Sequence, residues 1–167
     1  VSRQVRNLLN SFTWGFSIAA STLVGQALGA TEEGLAALYG REIIKLSLVV
    51  YVCVGAIVLV AARPIAGVFV DTNIGVTAAF VSIAALSVVP LGIDGSVTGA
   101  LRGAGDTRVP FVATLVGMYL VALPVGALGI VTGLGAFVLQ AALLVETAVP
   151  MAVDLTRFRT GAWKAIS

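Results

Sequence analysis

Asp94 and Glu146 are carboxylates set in long apolar stretches. A charged side chain in hydrocarbon costs about 2.5–3.5 kcal/mol on insertion scales, so such an acid faces a bundle interior or water and handles ions or pairs with a base. Asp94 stands in Pro90-Leu91-Gly92-Ile93-Asp94-Gly95-Ser96. Pro90 cannot donate to a helix ladder, and glycines flank the acid. The run predicts a loosened backbone whose free carbonyls lie beside the carboxylate, as a transporter cation site requires. Ser87, Asp94 and Thr98, at i−7, i and i+4, share one helical face. The competing reading is an acid near a membrane surface, reaching headgroup water or pairing with Arg102. Glu146 lies eight residues before Asp154, about 12 Å along a helix, among Leu143, Val149 and Pro150; it reads as an interfacial or structural acid.

A second polar set precedes these acids. Asn10, Trp14, Ser17 and Ser21 recur at i, i+4, i+7 and i+11, one face of a helix. In lipid that stripe lines a cavity or hydrogen-bonds to neighbouring helices, and Gln26 and Gln140 belong to the same class. Tyr119 could stack on an aromatic cargo, although packing is its favoured role. Enzyme chemistry has no residues to stand on: there is no His and no HExxH or Ser-His-Asp set. Cys53, the lone cysteine, lies in the apolar run Val49–Val60 and is expected to be a buried inert thiol, so neither a disulfide within the chain nor a Cys/His zinc site is available. Gly99-Ala100-Leu101-Arg102-Gly103-Ala104-Gly105-Asp106-Thr107 is glycine-rich but lacks the Gly-Lys-Ser/Thr of a phosphate loop. The basic residues are scattered, with a net charge of +2, which leaves no nucleic-acid footprint.

The elements that must hold these residues follow from composition. Of 167 residues, 59% are hydrophobic and 11% charged, with mean hydropathy +1.06. Soluble domains run about 45–50% apolar and about 25% charged, so the chain reads as an all-α polytopic membrane bundle whose partner is the lipid bilayer. Charge-free runs cover 7–31, 46–62, 72–93 and 109–145. The last would be about 55 Å long as one helix, against a hydrocarbon core of about 30 Å, so it must fold back. Pro124, Gly126, Gly129, Gly133 and Gly135 mark the break. Five helices are predicted, over 6–28, 42–62, 75–99, 108–126 and 134–153, forming a transmembrane unit 1–153. The remainder, 154–167, is a basic tail in which Trp163 sits among Arg157, Arg159 and Lys164, resting at the interface. The first run is too long for a signal peptide. GxxxG spacings at Gly25–Gly29, Gly95–Gly99, Gly99–Gly103 and Gly129–Gly133 predict close helix approach.

Five spans separate Arg3, Arg6 and Arg63 from Arg41, Lys45, Arg102, Arg108, Arg157, Arg159 and Lys164. The excess of Lys and Arg marks the cytoplasmic side, which puts the C-terminus inside and residue 1 outside. A chain that begins outside without a signal is expected to follow an upstream helix.

Three segments then name a family. Val24-Gly25-Gln26-Ala27-Leu28-Gly29-Ala30, Pro64-Ile65 with Val68-Phe69, and Gly99-Ala100-Leu101-Arg102-Gly103-Ala104-Gly105-Asp106-Thr107-Arg108-Val109-Pro110 resemble the MATE (multidrug and toxic compound extrusion) transporters. The ending Arg159-Thr160-Gly161-Ala162-Trp163 is similar to that family's basic Gly-Trp terminus. The resemblance implies a twelve-helix fold in two lobes, of which these five helices are the eighth to twelfth, and a missing N-terminal lobe as partner. It implies multidrug efflux of small organic cations across the cell membrane in exchange for Na⁺ or H⁺, with no cofactor beyond that coupling ion. It also places Gly25, Gln26 and Gly29 in one cytoplasmic loop, and Leu101, Arg102, Gly103, Gly105, Asp106 and Thr107 in another. Asp94 falls on the tenth helix, where some members carry an acidic cation-site residue. Two other readings are a related flippase for lipid-linked oligosaccharides, disfavoured by the lack of a mid-span Lys or Arg, and a non-transporting membrane fragment.

Overall fold

The computed structural model describes residues 2–69, 74–131 and 135–166. The described residues are almost entirely helical and contain no strand, so the all-α expectation holds. The elements are α1 (Ser2–Gly29), α2 (Glu33–Val60), the short α3 (Ala62–Phe69), α4 (Ile74–Gly103), α5 (Arg108–Leu115), a π-helical stretch (Val116–Ala122), α6 (Leu123–Val131), α7 (Gly135–Thr160) and a terminal 3-10 turn (Ala162–Ile166).

These helices outrun the expected spans because charged residues near an end do not stop a helix. Glu33 occupies the first turn of α2, while Arg102 lies in the last turn of α4 and Arg157 and Arg159 in that of α7. Each sits where the helix dipole favours its sign. The expected tail is therefore largely helix. Trp163 does not rest at an interface: it is buried, stacks on Phe158 at 5.4 Å, and donates from Nε1 to the Phe158 carbonyl at 3.0 Å.

The anticipated break around Gly126 and Gly129 also moves. The helix continues to Val131, and Pro124 is accommodated by the π stretch just before it. A wider turn relieves the clash of a proline ring with the carbonyl four residues earlier. Gly133, and with it one GxxxG spacing, lies outside the described residues.

Among the described residues three helical segments are long and apolar enough to cross a membrane: Glu33–Val60, Gly75–Gly103 and Arg108–Gly129. The expectation was five. The polar stripe dilutes α1, and part of the fifth expected span, 134–153, lies outside the described residues. Ile57, Val60, Leu120, Leu128 and Val131 are exposed on the outside of the chain, a surface suited to lipid. Cys53 is exposed on it too, contrary to the buried thiol expected.

Helix α4 is the hub and packs on α1, α2, α3 and α7, while α5, the π stretch and α6 pack on α7. The main core lies at one end of the bundle. There Val24 and Ala27 of α1, Ala36 of α2, Val97 and Leu101 of α4, Phe158 of α7 and Trp163 close together. A second cluster centres on Tyr51 of α2, with Val88 of α4 and Phe16 of α1. The ring of Tyr51 covers Gly92, where any added methyl would collide with it.

Candidate functional site

The α1–α4 seam sets the geometry. Gly95, Gly99 and Gly103 repeat every four residues along one face of α4. A Cβ on Gly95 would strike the Thr13 side chain, and one on Gly99 or Gly103 would strike the backbone of Ser17 or Ser21. Gly25 on α1 in turn lies against the Gly103 carbonyl, so the two glycine-bearing motif segments meet directly. Gly29 has open space around it and plays no part in that contact.

A cleft of about 170 Å³ lies beside the seam. Its walls are Thr13, Trp14 and Ser17 of α1, Asp94, Gly95, Thr98 and Arg102 of α4, and Thr114 of α5. Asp94 is half-buried, and its Oδ1 is shielded and has no hydrogen-bond partner. Arg102, its i+8 neighbour, reaches the same cleft and acts on it electrostatically, as does the like charge of Asp154. The ion pairs within 4.0 Å among the described residues are Lys45–Glu42 and Arg157–Asp106, so Arg102 shares the cleft without closing onto Asp94. A carboxylate oxygen sheltered from water and lacking a donor calls for a proton or a cation.

The expected site is partly assembled. Asp94, Thr98, Trp14 and Ser17 come together. Ser21 does not line the cleft; it is part of the packed seam. Ser87 turns back on its own helix and donates to the Ala84 carbonyl at 2.7 Å. Tyr119 lies in the π stretch, 55% exposed and away from the cleft. The side chains of Asn10 and Gln140 lie outside the described residues. The loosened backbone expected beside Asp94 is not there either, because α4 runs unbroken through Pro90. The carbonyl that a proline deprives of its donor is four residues back, at Leu86, two turns from Asp94.

Two side chains escaped the sequence reading. Thr13 is buried between the stripe positions and hydrogen-bonds to the Tyr51 hydroxyl at 2.7 Å, tying α1 to α2 behind the cleft. Its place at i−4 from Ser17 was the available signal. Asp154 on α7 is 1% exposed and accepts a 2.8 Å hydrogen bond from Thr98 Oγ1. Nothing in its local sequence distinguishes it from a helix-end acid.

The arginine-bearing motif is a helix stop. Asp106 N donates to Leu101 O at 2.9 Å and Gly105 N to Arg102 O at 3.0 Å, with Gly105 at φ +84°. This 6→1 and 5→2 pairing with a left-handed residue between is the Schellman arrangement. Leu101 is buried in the core, and Gly103 is the last residue of α4. Asp106, 3% exposed, accepts from Arg157 Nε at 2.8 Å and faces the Val109 amide at the start of α5. Thr107 is exposed at the head of α5. The other motif ends alike: Glu32 N donates to Ala27 O and Thr31 N to Leu28 O, with Thr31 at φ +61°. Gln26 lies within α1, where its carbonyl accepts from Ala30 N. Both motifs are thus helix ends more than loops.

The MatE family model matches residues 1–128. The chain belongs to the MatE family. It is 37% identical over 130 residues to the probable multidrug resistance protein NorM of Deinococcus radiodurans, a match covering 73% of this chain and 29% of that protein. It is 31% identical over 137 residues to human multidrug and toxin extrusion protein 1, covering 80% of this chain and 24% of that one. The crystal structure of the eukaryotic MATE transporter AtDTX14 superposes with a TM-score of 0.86 at 21% identity, over 99% of this chain and 38% of its own. The fold is that of a MATE transporter, and the chain spans between 24% and 38% of the length of these three proteins. Like its MatE relatives, it is a multi-pass membrane protein of a transporter family.

Proposed function

We propose that this chain forms part of a secondary active efflux transporter that exports organic cations in exchange for Na⁺ or H⁺, with Asp94 as the residue that takes up the coupling ion. The observation that carries the reading is the sheltered, unpartnered Oδ1 of Asp94 in a cleft between α1, α4 and α5. Trp14, 68% exposed at the same cleft, offers an aromatic face to a cationic cargo. Occupancy of Asp94 changes its charge and so biases the balance between outward- and inward-open states. The rest of the cavity belongs to a complementary lobe.

Arg102, Arg108, Arg157, Arg159 and Lys164 flank the ends of α4, α5 and α7 at the bundle end that holds the two helix stops, and Arg41 and Lys45 stand about two and three turns into α2 from that end. That end faces the cytoplasm of the cell membrane on the rule that Lys and Arg stay inside. In cells making the complete gene product, Asp94→Asn should abolish ion-driven efflux of a cationic dye at normal protein levels. Undiminished efflux would remove Asp94 from the coupling.

A further inference from the structure

We infer that the coupling ion is a proton and that Asp154 is its second station, reached from Asp94 through the hydroxyl of Thr98. This deepens the proposal above and rests on the role given there to Asp94. Three observations carry it. Asp154 is sealed at 1% exposure in the α4–α7 seam, and its Oδ1 has no partner. A charged carboxylate is not kept that way without a compensating proton or cation, and a sealed seam admits a proton far more readily than a hydrated metal ion. The contact that Asp154 does make is with Thr98 Oγ1, which points its hydrogen at Oδ2 over 2.8 Å. Thr98 itself lines the cleft together with Asp94, one helical turn before it. A hydroxyl that can accept on one side while donating on the other is what a proton wire requires; it conducts no Na⁺.

The transfer balances. Protonated Asp94 gives its hydrogen to Thr98 Oγ1, directly or across one water, as the Thr98 hydrogen moves to Asp154 Oδ2. Asp94 is left a carboxylate, Asp154 a neutral acid, and Thr98 a hydroxyl again. The charges that face Asp154 are Arg102 of α4 and Asp106 of the α4–α5 turn, besides Asp94 itself. Asp106 is held by Arg157 of α7. Arg108 of α5 is exposed, and Lys164 of the terminal turn lies over the Trp163 ring. The relay therefore leads from the cleft toward the bundle end where the basic residues gather.

The test uses the complete transporter in proteoliposomes that enclose a pH-sensitive dye, with ethidium as the exported cation. Asp154→Asn and Thr98→Val should each lower proton counterflow per ethidium exported by about a hundredfold, the lower end of what a positioned proton-transfer group contributes, and Asp154→Asn, which lies outside the cleft, should leave ethidium binding intact. Thr98→Ser, which restores the hydroxyl, should recover the counterflow. If Asp154→Asn fails to accumulate, the two Thr98 variants decide alone. Wild-type counterflow in Asp154→Asn and Thr98→Val, with loss in Asp94→Asn, would overturn the relay and leave the role of Asp94 standing. Unchanged counterflow in Asp94→Asn would overturn both. Loss of ethidium binding together with counterflow in Asp154→Asn, or no recovery of counterflow in Thr98→Ser, would reduce Thr98 and Asp154 to a structural contact.

Discussion

Helix α4 meets α1 and α7 across two different kinds of seam. Against α1 it presents Gly95, Gly99 and Gly103; at Gly99 and Gly103 backbone meets backbone, and at Gly95 the Thr13 side chain fills the contact. Against α7 it presents Thr98 to Asp154, and the turn that follows presents Asp106 to Arg157. The first seam is steric and has one arrangement, because a packed backbone cannot slide by fractions of an ångström without losing contact. The second depends on charge, so taking up or losing a proton changes what holds it. One helix can thus be anchored on one side and responsive on the other, and Asp94 lies between the two.

The largest effect is expected at Gly99. Gly99→Ala puts a methyl into the Ser17 backbone, and the forced separation of α1 and α4 should cost about 3 kcal/mol. Gly29→Ala, which meets nothing within 4 Å, should be neutral or slightly stabilising. Thermal unfolding in detergent distinguishes them, and equal losses would mean that the seam is not set by glycine. Next is Arg157→Gln. It leaves the buried Asp106 carboxylate without its base, and since Arg157 is itself partly exposed the loss should be about 2 kcal/mol. It should appear as a lower Tm and faster proteolysis between α4 and α5.

The two helix stops sharpen the contrast at smaller scale. Gly105→Ala forces a side chain into the left-handed region and should cost about 1 kcal/mol. Thr31 already carries that strain at φ +61°. Thr31→Gly should raise stability by about 0.5 kcal/mol, less than the strain relieved because glycine loses more chain entropy on folding. A fall in Tm would show that the Thr31 hydroxyl, bonded to the Ala30 carbonyl, matters more than its backbone.

Local pattern made much of this legible. The apolar runs yield the helices, and the GxxxG spacing of Gly95, Gly99 and Gly103 predicts a close seam, though not that α1 fills it. Asp94 stands out because a charge in an apolar run is expensive. What pattern misses is pairing at a distance. Thr98 and Asp154 are 56 residues apart, as a pair unmarked by spacing or composition. Trp163 reads as an interfacial anchor from its basic neighbours, yet Gly161 at φ +71° turns the chain back so that it stacks on Phe158. Helix ends slip for a related reason: capping and the helix dipole carry α4 and α7 past the point where hydropathy falls.

Asp94 is the residue on which the proposed ion coupling is centred. Trp14 borders the same cleft, so its fluorescence, isolated in the purified complete transporter as the difference from Trp14→Phe, reports on that site. An emission change on titrating pH, absent on titrating Na⁺ at fixed pH, is expected, and it should disappear in Asp94→Asn. The same change persisting in Asp94→Asn would contradict that role.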